Sequence, residues 1–307
     1  MNEYFALTLG VVCAGMGGEL FVRGTVGLAH WARVSPGIIG ATVAAFATSS
    51  PELSVSVTAA LAGTPQIALG DALGSNVVNV ALILGIALSI AGMHSPRWSV
   101  RRDFPVALLV PGVTGLLALD GVLSRLDGIL LVSMFIAWLV AVVSDARKQR
   151  STADEVLGEH RGWLAALLCT VGLVFLIAAG RLIVAGATGI AVSFGIEAFV
   201  IGATIVAVGT SAPELATTVV AKLRRHDEVA LGTILGSNIY NSLLVVGVAA
   251  LITPIAVAWR EVAVALVVGF MTVACSLPSG RGFIERSRGY LLLVLYAVYL
   301  VVIIQRQ

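Results

Sequence analysis

Charge is what this sequence has least of. Lys, Arg, Asp and Glu make up 12% of its 307 residues, and 58% are hydrophobic; a soluble domain is about a quarter charged. That excludes an ordinary aqueous globule, because there is more apolar surface than one core could bury. Cysteine is scarce as well: Cys13, Cys169 and Cys275 stand in separate apolar segments. An odd number without metal spacing excludes a disulfide framework and reads as three small buried hydrophobes. The start, MNEYFALTLG, lacks the basic region of a cleaved signal, so the first helix is expected to be retained. Polar linkers are almost missing. The only long one is 145–161, DARKQRSTADEVLGEHR, too short to fold as a domain.

What is present is written twice. Residues 38–87 and 200–249 align without a gap at an offset of 162, with roughly half the positions identical, the mark of an internal duplication. The shared residues are mainly polar ones. Thr48-Ser49-x-Pro51-Glu52 matches Thr210-Ser211-x-Pro213-Glu214, and Gly74-Ser75-Asn76-x-x-Asn79 matches Gly236-Ser237-Asn238-x-x-Asn241. Two copies of a carboxylate, proline and hydroxyl cluster inside apolar segments suggest one site built from two halves of a membrane transporter.

A membrane helix needs about 20 mostly apolar residues. Punctuation by Pro, Gly and charge predicts ten: 4–30, 36–62, 66–92, 103–119, 125–144, 163–190, 197–222, 228–252, 259–277 and 288–305. With the N-terminus outside, fifteen of the nineteen basic residues fall in cytoplasmic connections, leaving Arg125, Arg181, Arg260 and Arg306 on the other side; the positive-inside rule therefore selects that orientation. Five helices is an odd number, so the second half enters upside-down relative to the first. The predicted fold is an all-α polytopic membrane protein of ten transmembrane helices in two inverted five-helix repeats. Residues 1–144 form the first, 145–161 a cytoplasmic linker and 162–307 the second, with both termini outside and the chain in the plasma (inner) membrane.

Thr48 and Glu52 lie four apart, hence on one helical face. Pro51 has no N–H, so the carbonyl of Ala47 loses its helical donor, as Pro213 does to Gly209. Broken backbone at membrane depth belongs where it lines a cavity. Carbonyls, hydroxyls and a carboxylate are hard ligands suited to calcium, magnesium or sodium. Ser75 with Asn79, and Ser237 with Asn241, are again one turn apart and supply the opposing wall. Gly70, Gly74, Gly232 and Gly236 allow close helix approach. Together the halves offer two carboxylates, a charge that matches one calcium. A lone proline kink or a lone Gly-Ser-Asn usually serves packing, but paired mid-membrane carboxylates default to function.

These motifs resemble the alpha-repeats of the cation/calcium exchanger superfamily, specifically its sodium/calcium exchanger branch, and the resemblance covers the whole chain. It implies cation ligands from Thr48, Ser49, Glu52, Ser75 and Asn79, and from Thr210, Ser211, Glu214, Ser237 and Asn241, with backbone carbonyls of Ala45 and Ala207. It implies exchange of sodium for calcium, typically three for one, with helices one and six sliding as a gate. Both are glycine-rich, as at Gly15, Gly17, Gly18, Gly24, Gly27 and Gly172. Several relatives, including potassium-dependent ones, carry Asp where Asn241 stands; this argues for independence from potassium. Proton/calcium exchangers usually carry Gly-Asn-x-x-Glu in place of Thr-Ser-x-Pro-Glu, so proton coupling is the runner-up.

No cofactor is expected beyond calcium and sodium as transported substrates. Neither nucleic acid nor an obligate protein partner is implied, and the lipid bilayer is the surrounding. An enzyme is disfavoured because no His lies near the Thr-Ser or Ser-Asn segments to serve as a base. A channel is disfavoured because channels tend to build filters from symmetric subunits or rings. Asp71, opposite Thr233 in the repeat, reads as a first-turn acid favoured by the helix dipole or, alternatively, as a cation attractor at an external vestibule. Glu19 and Arg181 occupy equivalent positions on helices one and six and read either as partners of local residues or as interface anchors.

Overall fold

Apolar residues in long unbroken runs leave the backbone to pair with itself, and the chain is accordingly almost all helix. The computed structural model describes residues 3–63, 65–152, 162–193, 207–257 and 259–305. Its helices are α1 (Glu3–Ala32), α2 in two pieces (α2a, Pro36–Thr48; α2b, Ser50–Leu61), α3 (Pro65–Ile90), α4 (Arg97–Leu117) and α5 (Arg125–Thr152). They continue as α6 (Gly162–Ser193), α7 in two pieces (α7a, Ala207–Thr210; α7b, Ala212–Leu223), α8 (Asp227–Ile252), α9 (Trp259–Cys275) and α10 (Arg286–Gln305). Among the described residues, six of these are long and apolar enough to cross a membrane, and a seventh if the two pieces of α2, bent by 44°, form one span. This is a multi-pass integral membrane protein.

The centre is α3 and α8. Their apolar windows are 72% and 83% buried, against 22–35% for α1, α5, α6 and α10 at the periphery. An apolar helix left exposed in this way is covered by lipid, not water. α8 reaches α2a closely because it lacks side chains there. A Cβ at Gly232 would lie 2.6 Å from the carbonyl oxygen of Gly37, and one at Gly236 would lie 2.8 Å from Ala41 Cα and strike the Ala41 carbonyl. On the outside of the bundle α1 packs against α6. A Cβ at Gly24 would lie 2.5 Å from the Cys169 nitrogen, and one at Gly172 2.5 Å from the Phe21 nitrogen. Gly18 is instead turned to Val220 and Ala216 of α7b, so the glycines of α1 do not share one face.

Irregularities recur at the repeat offset. The breaks in α2 and α7 fall at Ser49 (φ −90°, ψ 10°) and Ser211 (φ −83°, ψ 10°). A π-helical turn occupies Val78–Leu84 of α3 and Tyr240–Val245 of α8. Left-handed residues close matching turns: Gly63 (φ 79°) with Arg225 (φ 60°) at that offset, and Gly121 (φ 86°) with Gly282 (φ 72°) one residue short of it. Two-residue strands then join the halves. β1 (Met93–His94) pairs antiparallel with β4 (Phe283–Ile284), and β2 (Val122–Leu123) with β3 (Ile255–Ala256).

Several expectations need correction. α4 begins at Arg97, not 103, so Arg101 and Arg102 lie on its first turns and not in a connection. Arg101 is exposed, and Arg102 is accommodated because it grips buried Asp103 (2.7 and 3.1 Å) and reaches Asp145 (3.0 Å) on α5. α5 runs on to Thr152, taking the first eight residues of the expected linker, Asp145 among them, into helix; 153–161 lie outside the described residues. So does 197–206, the expected first half of helix seven. Cys169 is buried beside Thr25, but Cys13 and Cys275 are only half-buried.

Candidate ion-binding site

The break at Ser49 has a clear origin. Pro51 cannot donate, and the orphaned carbonyl of Ala47 would be costly at this depth. The Ser50 hydroxyl donates to it at 2.8 Å. That corrects the reading of Ala47 as a free carbonyl; Ala212 has no hydroxyl with which to repeat the bond next to Pro213. The Ala45 carbonyl accepts from the Ser49 backbone N–H (3.0 Å) and the Thr48 hydroxyl (3.4 Å), and Thr48 also donates to Ala44 O (3.0 Å). Ala207 begins α7a and Thr210 ends it; their side chains lie outside the described set.

The breaks restart each helix just before its carboxylate. Glu52 and Glu214 are both in the first turn of a 12-residue helix, where unpaired N–H groups and the helix dipole favour negative charge. Both are fully buried. They belong to one cluster: Ser49 of the first half donates to Glu214 Oε1 at 2.8 Å, Ser237 of α8 approaches the same oxygen at 3.4 Å, and Glu52 lies within electrostatic reach of Glu214. Further buried oxygens of the repeated motifs have no hydrogen-bond partner. They are both oxygens of Glu52, Glu214 Oε2, Ser75 Oγ, Ser211 Oγ, Asn79 Oδ1 and Asn241 Oδ1. Such atoms are rare because each costs free energy, and hard oxygens in this number are what an alkali or alkaline-earth cation takes as ligands. Among the described residues no three His, Cys, Asp or Glu converge, so the formal charge of the cluster is that of its two glutamates.

Several contributors were not read from the sequence. Asn76 Nδ2 donates to Ser242 Oγ (2.5 Å), Asn238 Nδ2 to the Asn76 carbonyl (3.2 Å) and Asn79 Nδ2 to Asn238 Oδ1 (3.1 Å), pinning α3 to α8 behind the cluster. Ser56 and Thr218, fully buried, stand one turn beyond Glu52 and Glu214; a hydroxyl four residues after each glutamate was a visible signal. The π-helical turns carry Asn79 and Asn241, and such turns often mark functional positions. Asp71 is the seventh residue of α3, which begins at Pro65, so its first-turn explanation fails. Glu19 has partners after all: it pairs with Arg23 (2.5 Å) and, through two nitrogens, with Arg224 (2.5 and 2.9 Å), tying α1 to the end of α7b.

A helical bundle around buried paired carboxylates and orphaned oxygens defines a membrane protein of the cation-transporting class. The family model described as sodium/calcium exchanger protein matches residues 3–144 and 164–305. The chain therefore belongs to the sodium/calcium exchanger family, a family of transporters. It is 35% identical to the putative antiporter CaxA of Alkalimonas amylolytica, over 95% of each chain. It is 28% identical to the sodium/calcium exchanger MaX1 of Methanosarcina acetivorans, over 98% of each. The structure of the sodium/calcium exchanger from Methanococcus jannaschii superposes with a TM-score of 0.83 at 29% identity, covering 97% of both chains. The same exchanger soaked with sodium and strontium gives 0.84.

Proposed function

We propose that this chain is a secondary antiporter that exchanges sodium for calcium by alternating access, electrogenically and without potassium. Its cations bind among Glu52, Glu214 and the neutral oxygens of Thr48, Ser49, Ser75, Asn79, Thr210, Ser211, Ser237 and Asn241, with the carbonyls of Ala45 and Ala207. The observation that carries this reading is the Ser49–Glu214 hydrogen bond, because it closes one buried oxygen cluster from both copies of the repeated motif. Two carboxylates neutralise one calcium, which takes six to eight oxygens at about 2.3–2.6 Å. Sodium uses the same hard ligands with half the charge, so loading sodium displaces calcium, and any number above two makes the cycle electrogenic. The names of the archaeal relatives support sodium as the counter-ion.

The strand pairs support ten inverted spans. β1 and β4 must lie on one side of the membrane, as must β2 and β3. If only the six long apolar helices crossed, three would separate the members of each pair and place them on opposite sides. Counting α4, α7 and α9 as crossings makes the separations even. Two further links agree. Lys222 bonds the Gly92 carbonyl (2.6 Å) on the β1 side, and Thr253 bonds the Ala60 carbonyl (3.0 Å) on the β2 side. With Lys and Arg inside, the β1 side is cytoplasmic, the termini are outside and the host is the plasma membrane. The α1–α6 pair, tightly packed on itself, is the mobile unit.

Reconstituted vesicles test the reading. Calcium uptake should follow an imposed sodium gradient, be unaffected by potassium and generate a membrane potential. Uptake driven by a proton gradient and indifferent to sodium would replace it with proton/calcium antiport, and uptake needing no counter-ion would replace it with a channel.

A further inference from the structure

The polar face of α3 does not stop at the central cluster. Asp71, Ser75 and Asn79 follow at four-residue spacing, and their repeat counterparts on α8 are Thr233, Ser237 and Asn241. Two of the three positions are chemically equal. The outermost is not: one half presents a carboxylate where the other presents a hydroxyl. Their surroundings differ as well. Thr233 is fully buried, between Gly232 and Gly236, which are sealed against α2a. Asp71 is half-buried, between exposed Gly70 and half-buried Gly74.

One carboxylate oxygen of Asp71, Oδ2, is nevertheless buried and has no hydrogen-bond partner. It lies within electrostatic reach of Glu52, a fully buried side chain whose two oxygens are also unpartnered. Among the described residues Asp71 forms no salt bridge, and it does not converge with Glu52 and Glu214 as ligands of one ion. It stands one turn before Ser75 and two before Asn79 on the same helix, between exposed Gly70 and the buried ring of oxygens.

We propose that Asp71 is a staging carboxylate for the transported divalent cation on one membrane face only, the face of the α2–α3 turn. The proposal rests on the exchange reading above. A carboxylate at the mouth of a low-dielectric passage raises the local cation concentration and the rate of entry, more for a divalent ion than for a monovalent one. The equivalent position in the other half, Thr233, is uncharged, and the acids of α8, Asp227 and Glu228, lie in its first turn, Asp227 paired with Lys222, so the two faces should differ in apparent calcium affinity.

The test is sodium-driven calcium uptake by the full chain in vesicles of each orientation. Asp71→Asn should raise the half-saturating calcium concentration about 3- to 10-fold on the Asp71 face. The shift should shrink at high ionic strength, leave the maximal rate and the other face unchanged, and be reversed by Asp71→Glu. Asp71→Thr, which copies the residue of the other half, should give the same one-sided rise, which keeps the idea testable if Asp71→Asn fails to fold. An unchanged constant, a salt-insensitive shift or an equal shift on both faces overturns the proposal while leaving exchange intact. A parent chain with no sodium-driven uptake overturns the exchange reading and this one with it.

Discussion

Ser49→Ala removes one hydroxyl and should weaken calcium binding far more than its size suggests. The side chain donates to Glu214 Oε1 at 2.8 Å, and both residues are fully buried, so no solvent takes its place. The other approach to that oxygen, from Ser237 at 3.4 Å, is too long to substitute. A hydrogen bond to a charged group is worth about 1.5–3 kcal/mol, and about 1.4 kcal/mol is tenfold. The half-saturating calcium concentration should therefore rise roughly 10- to 100-fold. Ser50→Ala is the control on the next residue. Its 2.8 Å bond to the Ala47 carbonyl is neutral, worth about 0.5–1.5 kcal/mol, and should appear as lower thermal stability with calcium affinity kept. Calcium titrations of sodium-driven uptake, with thermal unfolding in detergent, measure both. A Ser49→Ala variant with parental affinity, or a Ser50→Ala variant weakened equally, would refute the assignment of Ser49 to the site.

Gly236→Ala forces a methyl into Ala41 and Ala45; overpacking of about 1–3 kcal/mol outweighs the roughly 1 kcal/mol gained in helix propensity. Lower melting temperature and weaker calcium binding are expected, and a stabilised variant would contradict the close α8–α2a approach. Asn241→Asp adds a charge of nearly the same size, so the sodium and potassium dependence of uptake should change and transport should become more sensitive to acid. Curves identical to the parent across pH would show that position 241 does not sense the ions. A bifunctional thiol reagent joining Glu19→Cys to Arg224→Cys, in a background without the native cysteines, should stop exchange while calcium binding persists. Exchange at the parental rate in the linked protein would exclude movement of α1 against α7b.

The duplication was legible because the repeated residues are polar ones that an apolar helix does not otherwise need. From it came the paired glutamates, the break near Pro51 and the close approach at Gly232 and Gly236, whereas Gly70 and Gly74, expected to do the same, meet no neighbour within 4 Å. Other features leave little trace. A π-helical turn inserts no characteristic residue, so the turns at Asn79 and Asn241 were invisible. The strands are two residues long, too short for alternation to show. Ser50 could be read as a cap only once the break was placed at Ser49. The start of α4 differs from the expected 103 because Arg97, Arg101 and Arg102 read as a connection. In the fold Arg102 pairs with Asp103 and with Asp145, and Arg101 is exposed. The bond network of Asn76, Asn238 and Ser242 depends on how the halves meet, which one strand of sequence does not display.

The central claim is that both halves build one cation site. Equilibrium calcium binding to the purified chain, measured by calorimetry for the parent, Glu52→Gln and Glu214→Gln, tests it most directly. One calcium per parent chain is expected, lost in both single variants while their thermal unfolding remains cooperative. Two calcium ions per chain, or binding kept in either folded variant, would contradict it.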